Sequence, residues 1–462
     1  MSGAWYMAGI VACVAGVIAG IRLMNSPRTA VLGNITGACA LGFGVVLTLF
    51  HEGVATNLLV LGALLLAGIL GGMLAYAVKT IHMPQTVALL NGLGGAASAL
   101  VGLAILIGVD VVAVAERGAS ALALMVGAVT FSGSLTAAGK LSGLLPQQPV
   151  QVRRYRLYST VLAVVLLGAA LLLACNVGAQ TVAPVALVVA LGLGVLFAIR
   201  IGGADMPIAI SLLNSMSGIS AAIAGFAVNS LLLVAVGAIV GAAGFILTRI
   251  MCGAMNRSLR VVLAGATTTN ARAATVEPDT APTSDTVPSK PEKPDPVTLL
   301  REAETVVIVP GYGMAQAQAQ MQVKQLADML QERDTPVRFA IHPVAGRMPG
   351  HMHVLLAEVD VSYDLLFEMD AINDDFSSTD LVLVVGANDV VNPAASTAED
   401  TPIYGMPILR AGEARHVIVC NLDDKPGYAG VPNTLYEQDN VVLMEGDAAE
   451  TLKTLIAKLT DA

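Results

Sequence analysis

The sequence is poor in charge, in aromatic rings and in cysteine. Only 13% of its 462 residues are Asp, Glu, Lys or Arg, well below the share usual in soluble domains. Aromatic residues make up 4%, with one tryptophan, so the apolar bulk is Ala, Leu, Val, Ile and Gly. The five cysteines stand at 13, 39, 175, 252 and 420. None forms a C-x-x-C pair, which argues against a disulfide framework and a thiolate zinc site; no metal is expected. The N-terminus lacks the basic flank of a signal peptide, and its first apolar run is followed by Arg22 and Arg28. That pattern suits a retained transmembrane helix.

What is present is apolar: 55% of the residues are hydrophobic and the mean hydropathy is +0.73. A soluble core cannot use so much apolar material, so lipid is expected to solvate much of the chain. Small residues among it let membrane helices approach closely. The charge divides sharply along the sequence. Residues 1–265 hold 12 Lys/Arg and 4 Asp/Glu, whereas 266–462 hold 13 Lys/Arg and 30 Asp/Glu. An acidic balance of this kind argues against nucleic acid as a partner.

About 20 apolar residues span a bilayer as a helix. Nine stretches qualify, at 4–24, 31–50, 57–78, 84–108, 119–139, 157–175, 181–199, 206–228 and 231–252. The loops between them alternate in sign. Arg22, Arg28, Lys79, Lys140, Arg153, Arg154, Arg156, Arg200, Arg249, Arg257 and Arg260 fall on one side. Only Arg117 falls on the other, with His51, Glu52, Asp110 and Glu116. The basic side should be cytoplasmic, which puts the C-terminal part there too. Residues 266–296 are rich in Thr, Ala, Pro, Ser and Asp and read as a flexible linker. The expected organisation is a transmembrane domain (1–265), this linker and a cytoplasmic domain (297–462).

The last segment alternates strand and helix. Strands are predicted at 305–309, 337–341, 363–369, 381–385, 416–420 and 441–444, with a helix from the first glycine turn to Gln331 and another at 352–359. Short apolar strands between helices imply a parallel, doubly wound Rossmann-like sheet. Its ligands should lie beyond the carboxyl ends of the strands. Pro310-Gly311-Tyr312-Gly313-Met314 follows the first strand. The glycines there could admit a pyrophosphate at a helix N-terminus, or simply make a tight turn. His342 to Pro349 follow the second strand with no acidic residue for ribose hydroxyls, but with Arg347, which could suit a phosphate or be a surface arginine in a Pro/Gly loop. Gly386-Ala387-Asn388-Asp389 ends the fourth strand. In KPGYAGVPN (425–433) Lys425 is the candidate cation, and the Gly-Tyr-Ala-Gly run at 427–430 could fold as a lid over a ligand or be a Gly-rich loop without one. Asp370, Asp374, Asp375 and Asp380 read as helix caps and a solvated acidic face rather than a metal cluster. Within the spans, Asn91, Ser134, Asp205 and Asn214 are the informative polar groups. Each could hydrogen-bond between helices, Asp205 could cap one, and together they could line a hydrated proton path.

The motifs GYGMAQAQAQ, HPVAGRMPGHM, EMDAINDDF, GANDVVNPAA and GYAG occur in this order behind the nine apolar stretches. With IGGADMPIAISLLNSMSG and IMCGAMNRS in the membrane part, the chain resembles the beta subunit of proton-translocating NAD(P) transhydrogenase over essentially its whole length. That resemblance implies a Re/Si-specific enzyme of the bacterial inner membrane, working with an alpha subunit that carries NAD(H), as a heterotetramer of two alpha and two beta in lipid. It implies NADP(H) on the C-terminal domain, and hydride transfer between the cofactors coupled to proton movement. The implied NADP(H) residues are Gly311, Tyr312, Gly313 and Met314; Val344, Ala345, Gly346, Arg347, Met348 and Pro349; Gly386, Ala387, Asn388, Asp389 and Val390; Gly405 and Met406; the lid residues Asn421, Asp423, Lys425, Gly427 and Tyr428; and Asp447 with Ala448. Asp389 is the residue the resemblance links to coupling, and Asp205 and Asn214 match polar positions of the proton path.

Two departures from the family pattern stand out. Some members carry a histidine in the third span, at the position of Asn91, and the remaining membrane-part histidines, His51 and His82, fall in predicted loops. Water with Asp205 is then required. Familiar members begin the lid with Lys-Arg-Ser, where this chain has Asn421-Leu422-Asp423-Asp424-Lys425. NADP(H) binding with looser discrimination against NAD(H) is the expectation. A channel or transporter with a regulatory nucleotide domain is the alternative, but no selectivity filter or substrate-binding ionisable cluster is seen in the spans.

Overall fold

The structure is a computed structural model that describes residues 3–78, 82–108, 113–146, 150, 152–202, 205–254, 258–264, 294–347, 350–399, 401, 403–427 and 429–460. Among them, nine helices are long and apolar enough to cross a membrane. They are α1 (Gly3–Met24), α2 (Pro27–His51), α3 (Leu58–Ala77), α4 (Met83–Gly108), α5 (Val114–Leu141), α6 (Tyr155–Ala174), α7 (Ala179–Ala198), α8 (Met206–Ala227) and α9 (Leu231–Ala254). A short helix α10 (Leu259–Ala264) follows. Every expected span is a helix, and the ends differ by a few residues.

Glycine sets how these helices pack. A Cβ on Gly95 of α4 would lie 2.7 Å from the Gly127 carbonyl of α5, and one on Gly127 would lie 2.4 Å from the Gly95 carbonyl. The same backbone approach joins α8 to α9, where a Cβ on Gly218 would fall 2.4 Å from the Gly241 nitrogen. Lipid supplies no hydrophobic drive between helices, so close backbone contact and hydrogen bonds must hold them. Ser215 Oγ donates to the Gly241 carbonyl at 2.7 Å across the α8–α9 seam.

Two readings of the membrane part change, while Asn91 lies on the fourth helix, within the fourth of the expected stretches. His51 is the last residue of α2, stacked on Tyr6 with ring centroids 3.5 Å apart. Lys140 is not a loop cation: it is buried in the last turn of α5, and its Nζ donates to the Ile199 and Ile201 carbonyls at 2.5 and 2.9 Å. The ammonium thereby serves carbonyls that follow α7 and lack helical partners.

The second unit is a six-stranded parallel sheet of order β3-β2-β1-β4-β5-β6. The strands are β1 (Val306–Pro310), β2 (Val337–Ile341), β3 (Leu366–Glu368), β4 (Leu381–Val385), β5 (His416–Asn421) and β6 (Val441–Glu445). Its helices are α11 (Pro296–Glu302), α12 (Tyr312–Gln316), α13 (Gln320–Gln331), α14 (His351–Glu358), α15 (Met369–Ile372), α16 (Ala394–Thr397) and α17 (Ala448–Thr460). Alternate residues of β1 enter two different cores: Val306 and Ile308 join α13 and α17 on one face, Val307 and Val309 join Ile372 and Phe376 on the other. Burial on both faces explains the unbroken apolar runs.

Two local expectations are corrected. The single helix expected up to Gln331 is split into α12 and α13 at Gln318, whose φ is +53°. The third strand keeps only three residues, because Tyr363–Leu365 form a 3-10 turn before it and α15 begins at Met369. The aspartates of the acidic stretch are mostly tied to the frame. Asp380 accepts from the Thr305 N–H and hydroxyl at 3.1 and 2.9 Å, Asp375 pairs with Arg338, and Asp374 pairs with Arg410 at 2.5 Å.

Candidate functional site

In this strand order the chain leaves β1 toward β2 and later resumes on β1's other side with β4. The crevice beyond the ends of β1 and β4 is the topological switch point, where ligands of open α/β sheets sit. The turns there are built around glycine. Gly311 N–H donates to the Val385 carbonyl at 2.8 Å, and Gly313 N–H to the Gly386 carbonyl at 2.7 Å. A Cβ on Gly311 would lie 2.2 Å from the Gly386 oxygen, and one on Gly386 would lie 2.1 Å from the Met314 nitrogen. Gly386 also has φ +65°, a left-handed backbone that suits glycine. These glycines thus seat one turn against the next. The N–H of Met314 is also used internally, by the Gly311 carbonyl at 3.2 Å.

Tyr312 opens α12, and the Arg347 guanidinium lies over its ring, 4.4 Å from the centroid. The loop carrying Arg347 is fixed by two buried histidines. His342 Nε2 donates to the Pro407 carbonyl at 2.8 Å, while its Nδ1 accepts from the Val344 N–H at 3.3 Å. That pattern defines a neutral ring, and burial holds its pKa below the usual histidine value. His351 Nδ1 accepts from the Arg347 N–H at 3.0 Å. The His342 bond also ties this loop to the segment containing Gly405 and Met406. Gly405, at φ +73°, donates to the Ala395 carbonyl at 2.7 Å, and Met406 packs against the cluster of Ala394, Ala395, Ile403 and Val431.

The β4 turn and the loop after β5, the expected lid, are joined by hydrogen bonds. Asn388 Nδ2 donates to the Lys425 carbonyl at 3.0 Å, and Ala429 N–H donates to Asp389 Oδ2 at 3.0 Å. A Cβ on Gly427 would lie 2.7 Å from Asp389 Oδ1, so only glycine lets this loop come so close. Within the lid, Lys425 Nζ sits 3.0 Å from Asp423 Oδ2. The hydrogen bond from Lys425 keeps the Asp423 carboxyl below the usual carboxylate range, and Asp423 in turn raises Lys425.

Some candidates stand apart from an open cleft. Asn421 is buried at the end of β5, donating to the Ala387 carbonyl at 2.9 Å and the Tyr436 hydroxyl at 2.6 Å. Asp447 Oδ1 accepts from the N–H groups of Ala449 and Glu450 at 2.9 and 3.3 Å, which caps α17. Ala345 and Ala448 are buried, and Val390 packs on the core. Met348, Pro349 and Tyr428 lie outside the described residues.

Sequence reading missed the residues that hold this loop system together. Asn433 Nδ2 donates to the Asn388 carbonyl and Oδ1 at 3.2 and 3.1 Å. Asn392, fully buried, donates to the Pro432 carbonyl at 3.0 Å. Their only signal was an asparagine beside proline in an otherwise apolar stretch.

In the membrane part, three helices meet around the polar candidates. A Cβ on Gly92, next to Asn91, would lie 3.1 Å from Ser134 Cβ on α5. Cβ atoms on Gly94 and Gly133 would reach Ser217 Oγ and Leu213 Cδ2 of α8 at 2.5 and 3.1 Å. Asn214, half-buried, lies between those two α8 residues in sequence. Asn91 and Ser134 are buried, and Asn91 Nδ2 and Ser134 Oγ have no hydrogen-bond partner among the described residues. Asp205 is buried just before α8, its N–H donating to the Gly202 carbonyl at 3.1 Å.

Comparison with known proteins adds a separate line. Residues 6–458 match the profile of the family described as "NAD(P) transhydrogenase beta subunit". A protein named "NAD(P) transhydrogenase subunit beta" from Rhodospirillum rubrum is 39% identical over 453 residues, covering 96% of this chain and 97% of the relative. A second protein of that name, from a designated strain of the species, matches to the same extent.

Proposed function

The chain belongs to the NAD(P) transhydrogenase beta subunit family, and on that premise we propose that it binds NADP(H) and takes part in hydride exchange with NAD(H) held by an alpha subunit. The redox step is coupled to proton translocation through α1–α9. The working assembly is two alpha and two beta subunits in the bacterial inner membrane, with the sheet unit on the cytoplasmic side. The basic loops of one sign support that orientation.

What supports the NADP(H) assignment is the set of polar groups in the turns that follow β1, β2, β4 and β5. Arg347 and Lys425 offer the cations that phosphates require, and Arg347 presents a planar fork suited to a phosphate monoester. Asn388 and Asp389 stand at the end of β4, beside the lid. This set fits the dinucleotide. When bound, the nicotinamide supplies the hydride chemistry, and the chain's task is to hold it, orient it and exclude water. The Asp423–Lys425 pair partly neutralises the lid cation, which supports weaker discrimination against NAD(H).

Coupling needs a two-state element that both the cofactor and the proton path bias. Asp389 suits that role because its carboxylate accepts from the lid backbone at Ala429. A change in its charge changes the strength with which the lid is held. In the spans, the buried donors of Asn91 and Ser134 call for water, since unmade hydrogen bonds at buried sites are costly. Asp205 supplies the titratable group of that path.

The test is reconstitution with an alpha subunit in lipid vesicles. NADH-driven reduction of an NADP+ analogue is followed together with internal pH. The expected result is reduction that slows as a proton gradient builds and recovers with an uncoupler. Absence of hydride transfer defeats the enzyme assignment; transfer with no response to the uncoupler defeats the coupling.

A further inference from the structure

His351 belongs to no candidate set drawn from the sequence, yet it sits under the best phosphate ligand. It opens α14, is 1% exposed, and lies 6.3 Å from the Tyr312 ring between centroids. Its Nδ1 accepts the backbone N–H of Arg347 at 3.0 Å. An acceptor Nδ1 places the ring proton on Nε2. Nε2 is itself buried and has no hydrogen-bond partner among the described residues. The Gly346 backbone closes on the same ring: φ is +103°, and a Cβ there would lie 2.5 Å from Nδ1. Ring, glycine and Arg347 amide therefore form one fitted unit, and the Arg347 guanidinium is stacked on Tyr312 beyond it.

We propose that His351 is a positioning residue for cofactor selection: its Nδ1 anchors the Arg347 backbone so that the guanidinium is held ready for the 2′-phosphate that distinguishes NADP(H) from NAD(H). The proposal rests on the NADP(H) reading above. It assigns selectivity to a buried ring that need not touch the cofactor. Phosphate recognition by a bidentate fork depends on orientation, and a fork on a loosened loop must be ordered at each binding event.

Two substitutions separate this role from a structural one. His351→Phe keeps an apolar ring and removes both the acceptor and the unsatisfied donor. His351→Asn puts Oδ1 where Nδ1 stood. Two readouts are taken on the full chain in detergent: hydrogen–deuterium exchange at the Arg347 amide without ligand, and the affinities for NADPH and NADH. For His351→Phe the Arg347 amide should lose its protection, and NADPH affinity should fall about tenfold, the scale of one lost hydrogen bond. NADH affinity should change less than about twofold on the same scale. His351→Asn should restore both protection and the NADPH preference. An Arg347 amide that stays protected in His351→Phe overturns the proposal. Lost protection with an unchanged NADPH-to-NADH ratio overturns the assignment of Arg347 to the phosphate instead.

Discussion

Asp389 Oδ2 accepts a hydrogen bond from the Ala429 N–H at 3.0 Å, so the acidic residue that opens the 3-10 turn after β4 directly fastens the loop that follows β5. Gly427 completes the contact, since a Cβ there would lie 2.7 Å from the other carboxylate oxygen. Asp389→Asn keeps an oxygen acceptor but removes the charge. It should leave NADPH binding within about threefold and lower coupled transhydrogenation by tenfold or more, roughly 1.4 kcal/mol of barrier. Steady-state rates in coupled vesicles, set beside the binding isotherm, decide between this and a purely structural carboxylate, which Asn would replace at no cost.

Gly386→Ala tests the backbone seat. The position combines φ +65° with a Cβ 2.1 Å from the Met314 nitrogen, so both strain and overlap result. The sheet unit should lose on the order of 3 kcal/mol or more. A shift of its urea midpoint reports this; an unchanged midpoint would show that the two turns separate easily.

His351 makes stability depend on pH. Burial first, and then the Arg347 charge, lower its pKa from 6.5 to about 4. Between those values the unfolded chain binds more protons than the folded one. Stability is therefore full above about pH 6.5 and falls as the pH drops toward 4, by roughly 3 kcal/mol in total. His351→Asn should flatten that part of the profile. Buried His342 contributes in the same direction, so the difference between wild type and variant is the quantity to measure.

Lys425→Ala removes the cation paired with Asp423 and leaves two lid carboxylates uncompensated. NADPH affinity should fall by roughly five- to tenfold, with a smaller effect on NADH. Raising the salt concentration should narrow the gap between variant and wild type, since the pair is exposed. Equal losses for both dinucleotides would place Lys425 away from the 2′-phosphate.

Asn91→Leu removes a buried donor from α4. If Asn91 holds water on the proton path, hydride exchange should become insensitive to an uncoupler while the helices remain packed. Continued coupling would assign Asn91 to helix packing alone.

Much of this protein is written in its sequence. The nine spans follow from run length, because a helix must cross a fixed thickness of hydrocarbon with its backbone satisfied. The strands follow from short apolar runs between turn residues, and β1, β2 and β4 fall within one residue of their expected bounds. Ordered motifs carried the family. Local pattern cannot report which distant groups a turn will meet. Only the fold shows that Gly311 and Gly313 seat the β4 turn, that Asp447 caps α17, and that Lys140 is buried against the carbonyls of Ile199 and Ile201. The Asp389–Ala429 contact is of the same kind. The sequence marked Asp389 as important and proposed a lid, but the bond between them spans 40 residues. Such a bond depends on strand order, which sets which turns are neighbours, and strand order is a property of the assembled sheet.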